Sequence, residues 1–385
     1  MSSDAGAAPS AQMIDLFAGP GGLDVAAQWL GISVTGVEWD EDALATRLAA
    51  GLDTEPGDVR DRGPELFPDA TILAGGPPCQ TFSVAGSGVG REALDEVLNF
   101  VDRMGDGDRT VRVELKKLRD ERTGLVLEPL RWALDAIDLH RQPYEVIVLE
   151  QVPAVLPVWK RMGEVLRSRG YRFTADILRT EQFGIPQTRR RAILVAHLHR
   201  QPSLPVATHR RFRRDGSIHP DDAHLPAWIP MGPVLAGHDK FVVVSNYGTG
   251  GDPKARGRRR YDEPAYTVTG KVSRNKMETL RGRYIRNLDH RDAGHLQTFP
   301  RDYPWTGRDL AQQIGNAIPP RLAVHVLSRA VFDRAPDENA LNTAVAGRWG
   351  EFRTGYRSAL LGAGTVPDES AEPLDQHART LPTLW

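Results

Sequence analysis

The sequence predicts an α/β protein whose parallel or mixed sheet is covered on both faces, and three observations predict it. Strand-like and helix-like segments alternate through the first half of the chain. Several of the strand-like runs are continuously apolar, as strands buried on both faces are. Those runs end in glycine or in an acid, at the edge where open α/β sheets bind their ligands.

The elements follow in order. Met13 to Phe17 is a short apolar run that leads into a glycine-rich turn, and Leu23 to Leu30 reads as a helix. Val34 to Glu38 is a second strand ending in an acid; Thr71 to Ala74 is a third ending in glycine. Leu125 to Leu139 has helical spacing, Glu145 to Leu149 is a strand running into Glu150, and Phe173 to Leu178 and Ala192 to Ala196 add two more. From about Gln201 to Asp289 the pattern dissolves into Pro, Gly, Arg and short β-prone pieces such as Phe241 to Val244 and Tyr266 to Val268, which predicts a smaller, β-poor or irregular second domain. After Ile314 the periodicity returns. Pro319 and Pro320 suit a helix start, and Leu322, Val326 and Ala330 mark an apolar face that packs back on the first domain. The Gly-, Pro- and acid-rich stretch beyond Glu351 reads as a loose tail.

The chain has 385 residues, 40% of them hydrophobic and 26% charged, which fits a globular protein with a full core. No apolar run approaches the ~18–20 residues of a membrane span. The first ten residues lack the basic start and apolar stretch of a signal peptide, so the expected location is the cytoplasm. The single cysteine, Cys79, excludes an internal disulfide or a multi-cysteine zinc site. Net charge is −1, yet basic residues crowd two places, Arg210 to Arg214 and Lys254 to Arg291. Such runs are commonly solvated faces; two in one weakly patterned region point to a polyanion partner.

Chemistry concentrates in a few motifs. In Asp15-Leu16-Phe17-Ala18-Gly19-Pro20-Gly21-Gly22 the glycines let backbone approach a ligand at a helix start, where amide donors gather. About twenty residues on, Glu38 is placed for ribose hydroxyls, Trp39 for packing on an adenine and Asp58 for an adenine edge. A nucleoside cofactor fits this set, without the set saying which one. Gly75-Gly76-Pro77-Pro78-Cys79 presents a cysteine just past a strand end, as a nucleophile requires and a buried structural thiol does not. Glu150 ends a strand in Glu150-Gln151-Val152-Pro153, ready to act as an acid or simply to cap a helix. In Gln187-Thr188-Arg189-Arg190-Arg191, alternate residues share a face, so Arg189 and Arg191 are expected to point together into a site. Gly315-Asn316-Ala317-Ile318-Pro319-Pro320 turns into the final helix.

These motifs, with Leu296-Gln297-Thr298-Phe299-Pro300, resemble those of the cytosine-5 DNA methyltransferases, in that family's order and across roughly Asp15 to Val326. The resemblance implies a Rossmann-like, doubly wound S-adenosylmethionine-dependent methyltransferase fold with a smaller irregular target-recognition domain. It implies S-adenosylmethionine as cofactor, S-adenosylhomocysteine as product and double-stranded DNA as substrate. Phe17, Gly19, Gly22, Glu38, Trp39, Asp58, Val59, Pro78, Leu125 and Asn316 match cofactor-contacting positions. Cys79 matches the nucleophile; Glu150 and Arg191, with Arg189 beside them, match residues that grip the target base. Gln80, Ser83, Arg256, Arg258, Arg259, Arg260 and Thr267 are the expected DNA contacts, and no metal is expected. The implied reaction is thiolate attack at cytosine carbon 6, Glu150 acting at ring nitrogen 3, methylation at carbon 5 and proton loss that expels Cys79. The base must leave the duplex for this.

The resemblance divides the chain into a catalytic and cofactor-binding domain (1–200), a target-recognition domain (201–291), a return segment (292–350) and a flexible tail (351–385). Two departures stand out. Gln151 replaces the family's usual asparagine, an amide one methylene longer. Extra residues, about 84–119, fall between Ser83 and the Asp120-Glu121-Arg122 stretch. Within them Leu94, Val97, Leu98 and Val101 share one helix face, Met104 to Asp108 reads as a turn, and Val111 to Leu118 as a second helix. That insertion is either a lid over DNA or a surface decoration. Two alternatives stand beside the DNA reading: the same chemistry on transfer RNA, and a non-catalytic DNA-binding regulator. A zinc deaminase, which also acts on flipped cytosines, is excluded by the lone cysteine. A monomer, with a cognate restriction endonuclease as partner, completes the expectation.

Overall fold

The computed structural model describes residues 11–78, 88–115, 124–235, 240–245, 256–352 and 356–362. Cys79, Gln80 and Ser83 lie outside them.

The first unit is a seven-stranded sheet in the order β3-β2-β1-β4-β5-β7-β6. Its strands are β1 (Gln12–Leu16), β2 (Ser33–Glu38), β3 (Thr54–Pro56), β4 (Ile72–Gly75), β5 (Val146–Gln151), β6 (Arg172–Arg179) and β7 (Arg190–His197). The first five in spatial order run parallel; β7 runs antiparallel to both β5 and β6. The two-residue period of a strand sends neighbours to opposite faces. On one face Met13, Val34, Ile72, Val146, Val148, Ile193 and Val195 join a core with α1 (Gly22–Trp29), α9 (Pro320–Phe332) and α10 (Glu338–Ala346). On the other, Ile14, Leu16, Leu73, Ile147, Leu149 and Leu194 join a core with α3 (Gly88–Gly105), α5 (Glu128–Asp138) and α6 (Leu156–Ser168). Continuous apolar strands are therefore needed here, and the doubly covered mixed sheet is the fold expected. The returning helix α9 packs on α1 as its apolar spacing predicted. Leu322, Val326 and Ala330 are all buried.

The segment after the sheet departs from expectation. Its first part, up to Lys240, carries among the described residues only a 3-10 turn, Pro220–Asp222. Beyond it stands a four-stranded antiparallel sheet, β11-β10-β8-β9, made from β8 (Phe241–Val244), β9 (Arg258–Arg260), β10 (Lys276–Thr279) and β11 (Tyr284–Asn287). "β-poor" is thus too strong. The strands are only three or four residues long, and most are rich in charge, so they lack an apolar signature. Tyr266 to Val268 is not a strand. Ala265 instead forms an isolated parallel bridge to Gln187, which pins this stretch to the segment just before β7. A third core, including Met231, Phe241, Val243, Val268 and Met277, is closed by Ala293 and Leu296 of α7 (His290–Leu296) and Ile314 of α8 (Leu310–Asn316). The stretch read as a loose tail holds a short helix, α11 (Arg357–Leu361), whose Leu360 is fully buried.

Candidate active site

The glycine turn follows β1 directly. Phe17, Gly19 and Gly21 all have positive φ, and Gly21 at φ 102 caps α1. Gly22 has a different constraint: a Cβ there would lie 2.3 Å from the Ile318 carbonyl oxygen, so only glycine lets the Gly315–Ile318 turn close on the loop. Glu38, at the end of β2, accepts Gly19 N–H on Oε2 at 2.7 Å and the N–H groups of Trp39 and Asp40 on Oε1 at 2.8 Å each. Burial raises its pKa, and these bonds work against that rise. Trp39 beside it leaves 62% of its surface exposed at the carboxyl edge of the sheet, with the Arg60 guanidinium 6.0 Å from its ring. Asp58 caps a 3-10 turn and pairs with Arg60 at 2.6 Å. Its partial burial would raise the carboxyl, but the Arg60 bonds outweigh this and lower it. Val59 and Leu125 are buried, Pro78 half-buried and Asn316 exposed. Asn316 Oδ1 accepts from Gln312 at 2.7 Å.

Next along the same edge, β5 carries Glu150 and Gln151. Because β5 and β7 pair antiparallel, Arg191 lies close to Glu150, and its Nε is 2.5 Å from Glu150 Oε1. Both side chains are largely buried. Gly76 packs near the other carboxylate oxygen: a Cβ on it would be 3.4 Å from Glu150 Oε2. Gln151 donates to the Pro77 carbonyl and accepts the Val152 N–H at 2.5 Å. The longer amide therefore does brace the turn that leads to Cys79.

Arg189 does not join Arg191. It precedes β7, is almost wholly buried, and donates to the carbonyls of Val268 (2.9 Å), Gly315 (3.0 Å) and Ala317 (3.2 Å). Strict strand alternation fails at this point because the ladder begins at Arg190. Arg189 is a brace between segments. Gln187 and Gln297 extend it: Gln187 Nε2 donates to Gln297 Oε1 at 2.6 Å, and Gln297 Nε2 to the carbonyls of Ile314 (2.7 Å) and Ala317 (3.0 Å). Gln187, Arg189 and Gln297 thus form a buried polar seam that joins the approach to β7 to Val268 and to the ends of α7 and α8.

Beside Glu150 and Arg191 opens a cleft of about 490 Å³, lined by Pro153, Arg179, Glu181, Thr188, Arg190, Arg191, Arg211, Phe212, Arg214, Arg259 and Thr267. The Thr267 hydroxyl donates to the Thr188 carbonyl at 2.6 Å. The four arginines expected to hold DNA divide by strand alternation. Arg258 and Arg260 are exposed and pair with Glu278 (2.9 Å) and Asp262 (3.0 Å); Arg256 is half-buried. Arg259 turns inward, against expectation, with its guanidinium 4.2 Å from the Phe212 ring and 4.8 Å from that of Tyr266.

The sequence model of the C-5 cytosine-specific DNA methylase family matches residues 11–100, 119–222 and 236–331, about three-quarters of the chain. This chain belongs to the C-5 cytosine-specific DNA methylases. It is 28% identical to the Type II methyltransferase M.AplI of Arthrospira platensis, over 81% of this chain and 83% of that protein. It is 26% identical to the Type II methyltransferase M.PspPI of Psychrobacter, over 82% and 78%. Among solved structures, the S. pombe Dnmt2 methyltransferase shares the fold at a TM-score of 0.55 and 16% identity, covering 84% of this chain and 99% of that one. The Entamoeba histolytica methyltransferase EhMeth gives 0.56 and 13%, covering 84% and 98%.

The methylase accordingly transfers a methyl group to carbon 5 of cytosine in DNA, with S-adenosylmethionine as the family's methyl donor. The RNA and non-catalytic alternatives give way to that assignment. Sequence reading missed two features of the site. One is the fully buried Asp24–Arg47 pair, 2.7 Å apart beneath the glycine loop, with Asp15 beside it. The other is the cleft's use of Arg179, Glu181 and Arg190. The basic run at Arg210 to Arg214 was a usable signal for the cleft; nothing in the periodicity marked the buried pair.

Proposed function

We propose that this methylase modifies a cytosine flipped out of double-stranded DNA at a specific sequence, with Cys79 as covalent nucleophile and Glu150 and Arg191 gripping the base. The observation that carries this reading is the buried Glu150–Arg191 contact beside the Gly76-Pro77-Pro78 turn. A carboxyl held by a guanidinium at that edge can hydrogen-bond or protonate cytosine nitrogen 3. The Cys79 thiolate adds to carbon 6, pushing electron density to carbon 5. Bound S-adenosylmethionine supplies an electrophilic methyl group. Loss of the carbon 5 proton then restores the double bond and expels Cys79. Arg189 acts as a positioning residue behind this pair.

For the cofactor we propose Phe17, Gly19, Gly22, Glu38, Trp39, Asp58, Val59, Pro78, Leu125 and Asn316. The site fits a nucleoside: Glu38 Oε2 accepts one N–H and retains capacity for a ribose hydroxyl, and the exposed Trp39 indole offers a face for adenine. Residues 1–200 and 292–350 form the catalytic part in this reading and 201–291 the recognition part. The names of the relatives favour a restriction-modification setting; with it go a cognate endonuclease, a monomeric enzyme and a cytoplasmic location. No described helix is long and apolar enough to cross a membrane.

The test is bisulfite sequencing of plasmid DNA from cells expressing wild type or Cys79→Ser. Wild type should protect one cytosine context and the serine variant none. Protection by the serine variant would end the covalent mechanism.

A further inference from the structure

We propose that Arg259 and Glu181 together read one guanine–cytosine pair in the major groove, Arg259 taking the guanine and Glu181 the cytosine amino group. The inference rests on the DNA-modifying function and names two residues that set its specificity.

The cleft is unusual for a groove that only tracks phosphates. Six arginines line it, but so does Glu181, the one carboxylate in its wall. Glu181 is only 3% exposed. Its Oε2 has no hydrogen-bond partner among the described residues, and no Lys, Arg or His nitrogen there comes within ion-pair distance. Burial raises its pKa, while Arg179, Arg211 and Arg259 favour the charged form. A phosphate offers only acceptors, so a buried acceptor facing it would repel it. A base edge offers donors as well.

Arg259 supplies the complementary half. Phe212 and Tyr266 flank its guanidinium, which fixes the plane of the fork. Phe212 is itself set edge-on against Trp228, with ring centroids 5.0 Å apart. Nε and Nη1 are buried and donate no hydrogen bond among the described residues; the Glu263 carboxylate lies 3.8 Å from Nη1. A desolvated, pre-oriented guanidinium with unused donors is costly unless a ligand completes it.

The geometry of bases then selects. Guanine presents two adjacent acceptors, O6 and N7, that match the arginine fork, and its partner cytosine presents the N4 amino donor. Adenine–thymine places its donor between two acceptors, which a planar fork cannot take together. The backbone brings both readers to one wall. Thr208 and His209 N–H groups bond the Gln182 carbonyl (2.9 and 3.0 Å), holding the segment of Arg211 and Phe212 beside the turn of Glu181.

The experiment uses wild-type protein first. Its recognition sequence is determined by bisulfite sequencing of a randomised DNA library, and each guanine is then replaced in turn by 7-deazaguanine, which lacks the N7 acceptor. One guanine, in a pair other than the target cytosine's own, should lower kcat/KM at least tenfold when replaced. Equal rates at every such position, or a recognition sequence without such a pair, would overturn the proposal. Arg259→Lys and Glu181→Gln should relax the motif at that same pair while the other positions stay fixed. If those variants keep the motif but flatten the salt dependence, the cleft holds phosphates and base reading is rejected. A motif that is unchanged, with only rate or melting temperature lowered, assigns both residues to scaffolding and also rejects it. If wild type modifies no cytosine at all, the failure lies with the activity, and binding of the same library by filter retention, sequenced afterwards, decides the reading of the pair.

Discussion

The Gln151 side chain bonds the Pro77 carbonyl, two residues before the nucleophile named above, so the strand that carries Glu150 also fixes the approach to Cys79. Removing the amide leaves a buried carbonyl without that donor, a loss of about 1–3 kcal/mol. Gln151→Ala should lower kcat tenfold or more while the KM for DNA moves little, because chemistry rather than docking depends on this turn. Gln151→Glu, which swaps the donor for an acceptor, should be at least as impaired. Single-turnover methylation measures both. A raised KM with normal kcat would assign Gln151 to DNA docking instead.

Much of this was legible in the residues themselves. The central strands declared themselves because they are buried on both faces and so read as apolar runs. Glycine and acidic strand ends marked the edge where the site lies. What escaped notice has physical causes. Helix α2 (Glu41–Ala50) has an N-cap at Asp40 and a left-handed Gly51 at its end, but Leu48 is 82% exposed, so its apolar stripe is blurred. Strands β9 to β11 are short and charged, and their register is set by tertiary pairing. Arg189 was misdirected because period-two alternation holds only inside a ladder, and the ladder starts one residue later. The role of Arg259 depends on aromatic partners 47 and 7 residues away in sequence (Phe212 and Tyr266), which no local pattern shows.

Strand alternation on β9 makes a second forecast. Arg258 and Arg260 face out and Arg259 faces in. If the outward pair contacts phosphates, Arg258→Gln with Arg260→Gln should reduce the log–log salt slope of DNA binding by about 0.9 per lost contact. Fluorescence anisotropy between low and moderate salt gives the slope. An unchanged slope would leave these side chains with their acidic partners Glu278 and Asp262 in the complex.

Asp15 gives a pH-dependent forecast. It is fully buried, Oδ1 finds no hydrogen-bond partner among the described residues, and burial followed by the neighbouring Asp24 charge raises its pKa well above 3.8. A carboxyl raised in the fold contributes stability that is present in full below the unfolded pKa and is lost as pH rises through the folded one. The Asp15 contribution to stability should therefore fall from about pH 4 upward, by up to about 1.4 kcal/mol per pH unit. Asp15→Asn should remove that slope and gain on wild type as pH rises. Urea unfolding at a series of pH values checks it; parallel curves for the two proteins would show that Asp15 is ionised in the fold.

The extra residues between the nucleophile loop and α5 make the last forecast. The family match stops at residue 100 and resumes at 119, so the unmatched part is shorter than the 84–119 read from sequence. Helix α3, the helix that the apolar spacing predicted, carries most of what precedes it and is docked: Val97 and Val101 are fully buried, and Leu94 and Leu98 pack partly against the same core. It lies along α6, where a Cβ at Gly105 would come within 2.8 Å of Val165, and Asp102 pairs with Arg161. Arg169 adds a bond to the Gly105 carbonyl at 3.2 Å. Beyond the helix, Arg103 ties Asp108 and Glu114, and α4 (Val111–Leu115) lays Val111 into the core. A lid needs an element that can leave its seat; this one shares the main core. Val97→Ala with Val101→Ala removes about four buried methyl groups, so it should cost roughly 3 kcal/mol at ~0.8 kcal/mol per group. DNA affinity and turnover per folded molecule should stay within twofold. Chemical denaturation and steady-state kinetics on the same preparation separate the two quantities. A tenfold loss of DNA affinity at unchanged stability would restore the lid.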